Sequence, residues 1–96
     1  MLGVDPATGE LADGMEAQCR HMLDNLCRIV EAAGGGVQDV VKVTVWMKDR
    51  SQRPLLNKPW LEMFADPASR PARHAIHAPE LDMGKHIECV FTAYIV

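Results

Sequence analysis

The sequence predicts a small α+β domain, with helices packed on one face of a small sheet in the order helix, strand, helix, strand, strand. Three observations predict it. Apolar residues recur at three- and four-residue steps over Met15–Ala33. They alternate with polar ones over Val40–Lys48 and again over Lys85–Val96. Glycine and proline punctuate the changes of period.

The opening Leu2–Gly14 carries the turn signal Asp5-Pro6-Ala7-Thr8-Gly9 and leaves room for a strand fragment. Asp13 then suits the N-cap of the first helix, with Glu16 as its capping-box partner. Met15, Cys19, Met22, Leu23, Leu26, Ile29, Val30 and Ala33 give that helix one apolar face. Gly34-Gly35-Gly36 ends it, because glycine takes left-handed geometry without a Cβ penalty. In Val40–Lys48, Val41, Val43, Val45 and Met47 are expected on the core side. A polar loop, Asp49–Arg53, follows. Leu55–Ala65 reads as the second helix if Asn57 is its N-cap, which places Pro59 in a first turn that needs no amide donor. Asp66–Pro71 is a loop, Ala72–Ala78 a short strand and Pro79–Gly84 a turn. Lys85–Val96 is the last strand, with Ile87, Cys89, Phe91, Ala93 and Ile95 on one side.

The chain has 96 residues and reads as one domain over 1–96. A domain of this size hides only about 60–70% of its unfolded surface, so the core is thin and association with further copies would help it. A 48% hydrophobic and 24% charged composition is that of a globular protein and argues against disorder. A net charge of −3 with no basic run argues against a general nucleic-acid binder. The apolar stretches are too short to span a membrane, and Met1-Leu2-Gly3-Val4-Asp5-Pro6 lacks a signal pattern. Cys19, Cys27 and Cys89 lie in periodic apolar segments and read as buried reduced thiols, which makes a cytoplasmic location the expectation.

Few constellations suit chemistry. The histidines and cysteines fit no zinc spacing, and His86 and Cys89 alternate to opposite strand faces, so no metal is expected. The glycine triplet follows a helix and cannot cradle phosphate at a helix start. Arg73 and Glu88 remain, each with two open readings. Arg73 is either a surface-reaching cation or a fork that grips a carboxylate bidentately. Glu88 is either a solvated sheet residue or a carboxylate that orients and deprotonates water.

These residues sit in blocks that resemble the RidA/YjgF/YER057c/UK114 family of imine and enamine deaminases, also labelled endoribonuclease L-PSP-like. The blocks fall in the family's order: Asp5-Pro6-Ala7-Thr8-Gly9-Glu10-Leu11, Ala17-Gln18, Leu23-Asp24-Asn25-Leu26 and Glu31-Ala32-Ala33-Gly34. Val40 to Asp49 follows, then Asn57, Trp60 and Phe64, Arg70-Pro71-Ala72-Arg73 and Ile87-Glu88. The resemblance implies a chorismate-mutase-like mixed sheet, assembled as a homotrimeric barrel with ligand clefts between subunits. It also implies that Arg73 holds the substrate carboxylate, that Glu88 positions the attacking water and that Asn57 lines the cleft, a role that competes with its N-cap reading. The implied reaction is hydrolysis of 2-imino or 2-enamino acids to 2-oxo acids and ammonia without a cofactor. Against the family pattern the chain begins about where an opening strand pair, bearing a glycine-proline-tyrosine-serine segment, ends. His74 stands where a small hydroxyl residue is usual, either narrowing the pocket or simply occupying an edge strand.

Two other functions are weighed. One is a catalytically silent trimer that binds small carboxylates or a partner protein. The other is RNA cleavage, against which the acidic balance argues.

Overall fold

The computed structural model describes residues 1–96. Helix α1 spans Met15–Ala32, strand β1 Val40–Met47, helix α2 Arg53–Met63, strand β2 Ala72–His77 and strand β3 Ile87–Ala93. The sheet order is β2-β1-β3; β1 runs parallel to β2 and antiparallel to β3. A parallel neighbour needs a crossover connection, and α2 lies within the one between β1 and β2. The sheet is therefore mixed, as expected. The opening residues add a short fourth row on the far side of β3. Met1 donates to the Cys89 carbonyl at 2.8 Å and accepts from its amide at 3.0 Å, and Leu2 bridges to Glu88.

One hydrophobic core holds the layers together. α1 supplies Met15, Cys19, Met22, Leu23, Leu26 and Val30; β1 supplies Val40, Val43, Val45 and Met47. Leu56, Trp60 and Phe64 close it from the α2 side, Ile87 and Cys89 from β3. No residue of β2 is fully buried, so that strand is an edge with its helix side only partly covered. No helix is long and apolar enough to cross a membrane.

The end of α1 forms as the glycine triplet predicts. Gly34 has φ 92° and donates to Glu31, while Gly35 donates to Val30, both at 3.0 Å. These two bonds satisfy the last carbonyls in a Schellman arrangement. Its start differs from expectation. Gly14, at φ 86° and ψ 159°, holds the N-cap position, and no side chain caps the first turn. The extended step at Gly14 leaves Asp13 outside the helix and exposed, so the Asp13–Glu16 capping box does not form.

Three further expectations are corrected. In β1 the core-side residue of the first pair is Val40, and Val41 is 50% exposed. A register shift against β3 between Val40 and Lys42 moves the phase by one residue at that end. On α1, Ile29 is 48% exposed, and Cys27 sits at the rim with its thiol donating to Glu31 at 3.0 Å. Ile29 lies one turn past Asn25, whose amide holds the Leu2 and Val4 carbonyls, and so lies beyond the cover of the opening segment. Finally, α2 starts four residues before Asn57. A single 3-10 turn, Arg50–Gln52, is fastened by Asp49, which accepts from the Ser51 amide and hydroxyl. Pro54 then occupies the first turn, and Pro59 lies inside the helix. The first-turn argument for proline holds, but for Pro54.

Candidate functional site

Arg73 pairs with Val43 across the parallel register, so its side chain leaves the sheet on the helix side. It runs along the uncovered part of that side to α2. There Nη2 donates to Asn57 Oδ1 at 2.7 Å, and the guanidinium lies 5.1 Å from the centroid of the Trp60 ring. Trp60 is itself braced by Phe64, ring centroids 4.5 Å apart and tilted at 55°. A hydrogen bond at one end of the fork and a ring face beneath it fix the guanidinium plane. Arg70 secures the same junction, donating to the Phe64 and Ala65 carbonyls at the end of α2.

The remaining amino group of the fork, Nη1, is buried without a hydrogen-bond partner, and so is Nε of Arg53. Arg53, Asn57 and Trp60 are spaced i, i+4 and i+7, which puts them on one face of α2. Burial first, then the like charge of Arg53, pulls the Arg73 guanidinium below its usual range. Neither arginine has an acidic partner, since the chain's one ion pair is Arg20–Glu62, at 3.5 Å and largely exposed. Two guanidinium groups with free donors and no anion between them are chemically suited to a negatively charged ligand.

Glu88 is elsewhere. It stands opposite Trp46 in the antiparallel register, whereas the helix-side row of β1 is Val43, Val45 and Met47. Its side chain therefore emerges on the open face, with Thr44, Trp46 and Val90, and no helix covers it there. The central strand separates Glu88 from Arg73. His74 pairs with Thr44 and also faces the open side, away from Arg73. Within this chain it does not crowd the Arg73 guanidinium. Asn57 joins Arg73 and is not an N-cap; Glu88 joins neither.

None of the surface hollows of the chain is lined by Arg73, Asn57 or Glu88. No three His, Cys, Asp or Glu side chains come close enough together to hold a metal ion. The thiols are poor nucleophiles. Burial pushes Cys19 up to about 12 and Cys89 up to about 11, so both stay protonated near neutrality. Arg53 is the site residue that sequence reasoning missed. Its signal is the i, i+4, i+7 spacing with Asn57 and Trp60, hidden once the helix is started at Asn57.

The fold and site define a class: a small α+β domain that presents an arginine fork, set by an asparagine and a tryptophan, at the edge of a mixed sheet. Comparison with known proteins narrows it. The sequence profile of the Endoribonuclease L-PSP family matches residues 1–95, and the chain belongs to that family, the RidA/YjgF group. A RutC family protein of Pyrococcus horikoshii is 39% identical over 92 residues, covering 95% of this chain and 71% of that protein. The 2-iminobutanoate/2-iminopropanoate deaminase of Salmonella typhimurium is 40% identical over 86 residues, covering 88% of this chain and 67% of the enzyme. Among solved structures, RidA of an Antarctic Psychrobacter superposes with a TM-score of 0.91 at 38% identity, over 99% of this chain and 76% of that one. Imine deamination is an activity found in the family.

Proposed function

We propose that this protein hydrolyses 2-imino acids, or the enamines that tautomerise to them, to 2-oxo acids and ammonium. The observation that carries the reading is the unpartnered Nη1 of an Arg73 already fixed by Asn57 and Trp60. A bidentate grip on the substrate carboxylate completes the fork. The imine carbon, protonated as the iminium, is electrophilic without a cofactor. Water adds to it with loss of a proton, and the resulting carbinolamine expels ammonia, which takes that proton as ammonium. Glu88 is the carboxylate that receives and returns the proton. Because Glu88 and Arg73 occupy opposite faces, one chain supplies the grip and a neighbouring copy the carboxylate, in a homotrimer with clefts between subunits. The names of relatives at 40% identity support the reaction class.

The test generates 2-iminopropanoate with an amino-acid oxidase and times its decay with and without the protein. Acceleration is expected, with a loss of at least a hundredfold in Arg73→Ala. No acceleration, or acceleration that survives Arg73→Ala, overturns the reading. The separation of Arg73 from Glu88 favours a second reading, a carboxylate-binding protein without turnover. Its mark is Arg73-dependent calorimetric binding of 2-oxo acids alongside an unaccelerated imine.

A further inference from the structure

Arg53 is unexplained by a grip on a single carboxylate. Arg73 alone can hold one bidentately, and a second guanidinium beside it adds like-charge repulsion that the fold has to absorb. The cost would be avoidable: Arg53 opens α2 at a position where many residues suit a helix start. Instead its Nε is buried and unbonded, one helical turn from Asn57, on the same face as the two residues that set Arg73. Elsewhere Arg20 pairs with Glu62 and Arg70 bonds two carbonyls, while Arg28 and Arg50 are exposed to water. Arg53 and Arg73 are the two side chains that retain a buried, unbonded donor.

From this arrangement we infer that Arg53 is a specificity residue for a second carboxylate, so that the preferred substrates are 2-imino acids of acidic amino acids. Arg73 takes the carboxylate beside the imine carbon, and Arg53 takes the one at the end of the substrate side chain. A dianion placed between the two guanidinium groups gives each buried donor an acceptor and cancels the repulsion, which a monoanion does only in part. The inference rests on the deaminase reading for its reaction, but its binding arm does not.

Two measurements test it. In the first, calorimetry compares 2-oxoglutarate with 2-oxobutanoate, a dianion and a monoanion of related shape. The unaltered protein is expected to bind the dianion at least tenfold tighter, Arg53→Leu to lose most of that preference, and Arg53→Lys to keep part of it. In the second, 2-iminoglutarate and 2-iminopropanoate are generated by oxidases, and the ratio of their kcat/KM values is compared. Arg53→Leu is expected to lower the dicarboxylate value at least tenfold more than the monocarboxylate value. Equal binding of the two oxo acids, or equal losses for both substrates in Arg53→Leu, overturns the inference; equal losses would mean that both arginines share one carboxylate. If the imines decay unaccelerated while the dianion preference holds and depends on Arg53, the deaminase reading fails and the two-carboxylate site stands.

Discussion

Gln18 directs both amide hydrogens and its oxygen to backbone groups of separate segments. Nε2 donates to the Ala12 carbonyl at 2.9 Å and to the Gly84 carbonyl at 2.8 Å, while Oε1 accepts from the His86 amide at 2.8 Å. It is the one polar side chain inside the core, 1% exposed. The opening segment, the turn before β3 and the entry to β3 are thereby tied to α1. The opening segment also crosses α1 at this residue, because Gly3 has no Cβ; one placed there would overlap the Gln18 backbone. Replacing Gln18 by Leu keeps the volume and leaves two carbonyls and an amide without partners. We expect a loss of about 3 kcal/mol, since orphaned buried polar groups cost about 1–3 kcal/mol each and some relax toward water. A urea midpoint that falls with an unchanged slope, at fixed protein concentration, would register it. An unshifted midpoint would show that these groups reach solvent. The sequence carried a hint of the role: Gln18 interrupts the apolar stripe between Met15 and Met22, where a polar residue has to find partners.

At the scale of elements, legibility followed local signals. The period of α1, the alternation of β1 and β3 and the glycine stop were readable because each is set within a few residues. The stop has a clean test. Nothing lies within 4 Å of where a Cβ on Gly34 would stand, so Gly34→Ala carries the cost of φ 92° and no clash. About 1 kcal/mol of destabilisation is expected in chemical denaturation, with Gly34→Asn milder, because asparagine tolerates the left-handed region. Equal losses in both variants would mean that the helix end shifts instead. The start of α2 was not legible, because Pro54 and Pro59 each qualify for a first turn. The choice was made by Asp49, which builds the preceding 3-10 turn through Ser51. The site followed the same division. Arg73 and Glu88 stood out once the other constellations were set aside, and the blocks that resemble a family added Asn57 to them. That Arg73 and Glu88 face opposite ways could not be read, because alternation orders the residues within one strand while the phase between strands is fixed by pairing. Pairing of Val43 with Arg73, and of Trp46 with Glu88, settles it.

For the whole molecule, that opposition is the feature with the largest functional consequence. The sheet separates Arg73 from Glu88, so on the proposed mechanism every working cleft draws Arg73 from one copy and Glu88 from the next. The open sheet face is suited to such contact: Val90 is 53% exposed there beside Trp46 and Thr44, and no element of the chain covers them. Subunit complementation follows. Arg73→Ala and Glu88→Gln variants should each be inactive alone. When the two are mixed, unfolded and refolded together, a cleft is intact if its arginine comes from a Glu88→Gln copy and its glutamate from an Arg73→Ala copy. For random assembly of equal amounts in a closed ring, that holds for roughly a quarter of the clefts. About a quarter of the unaltered activity should therefore return on co-refolding, and none on simple mixing if copies do not exchange. A mixture that stays inactive after co-refolding, with the assembly's mass confirmed by light scattering, would place both groups' action within one chain and refute the shared cleft.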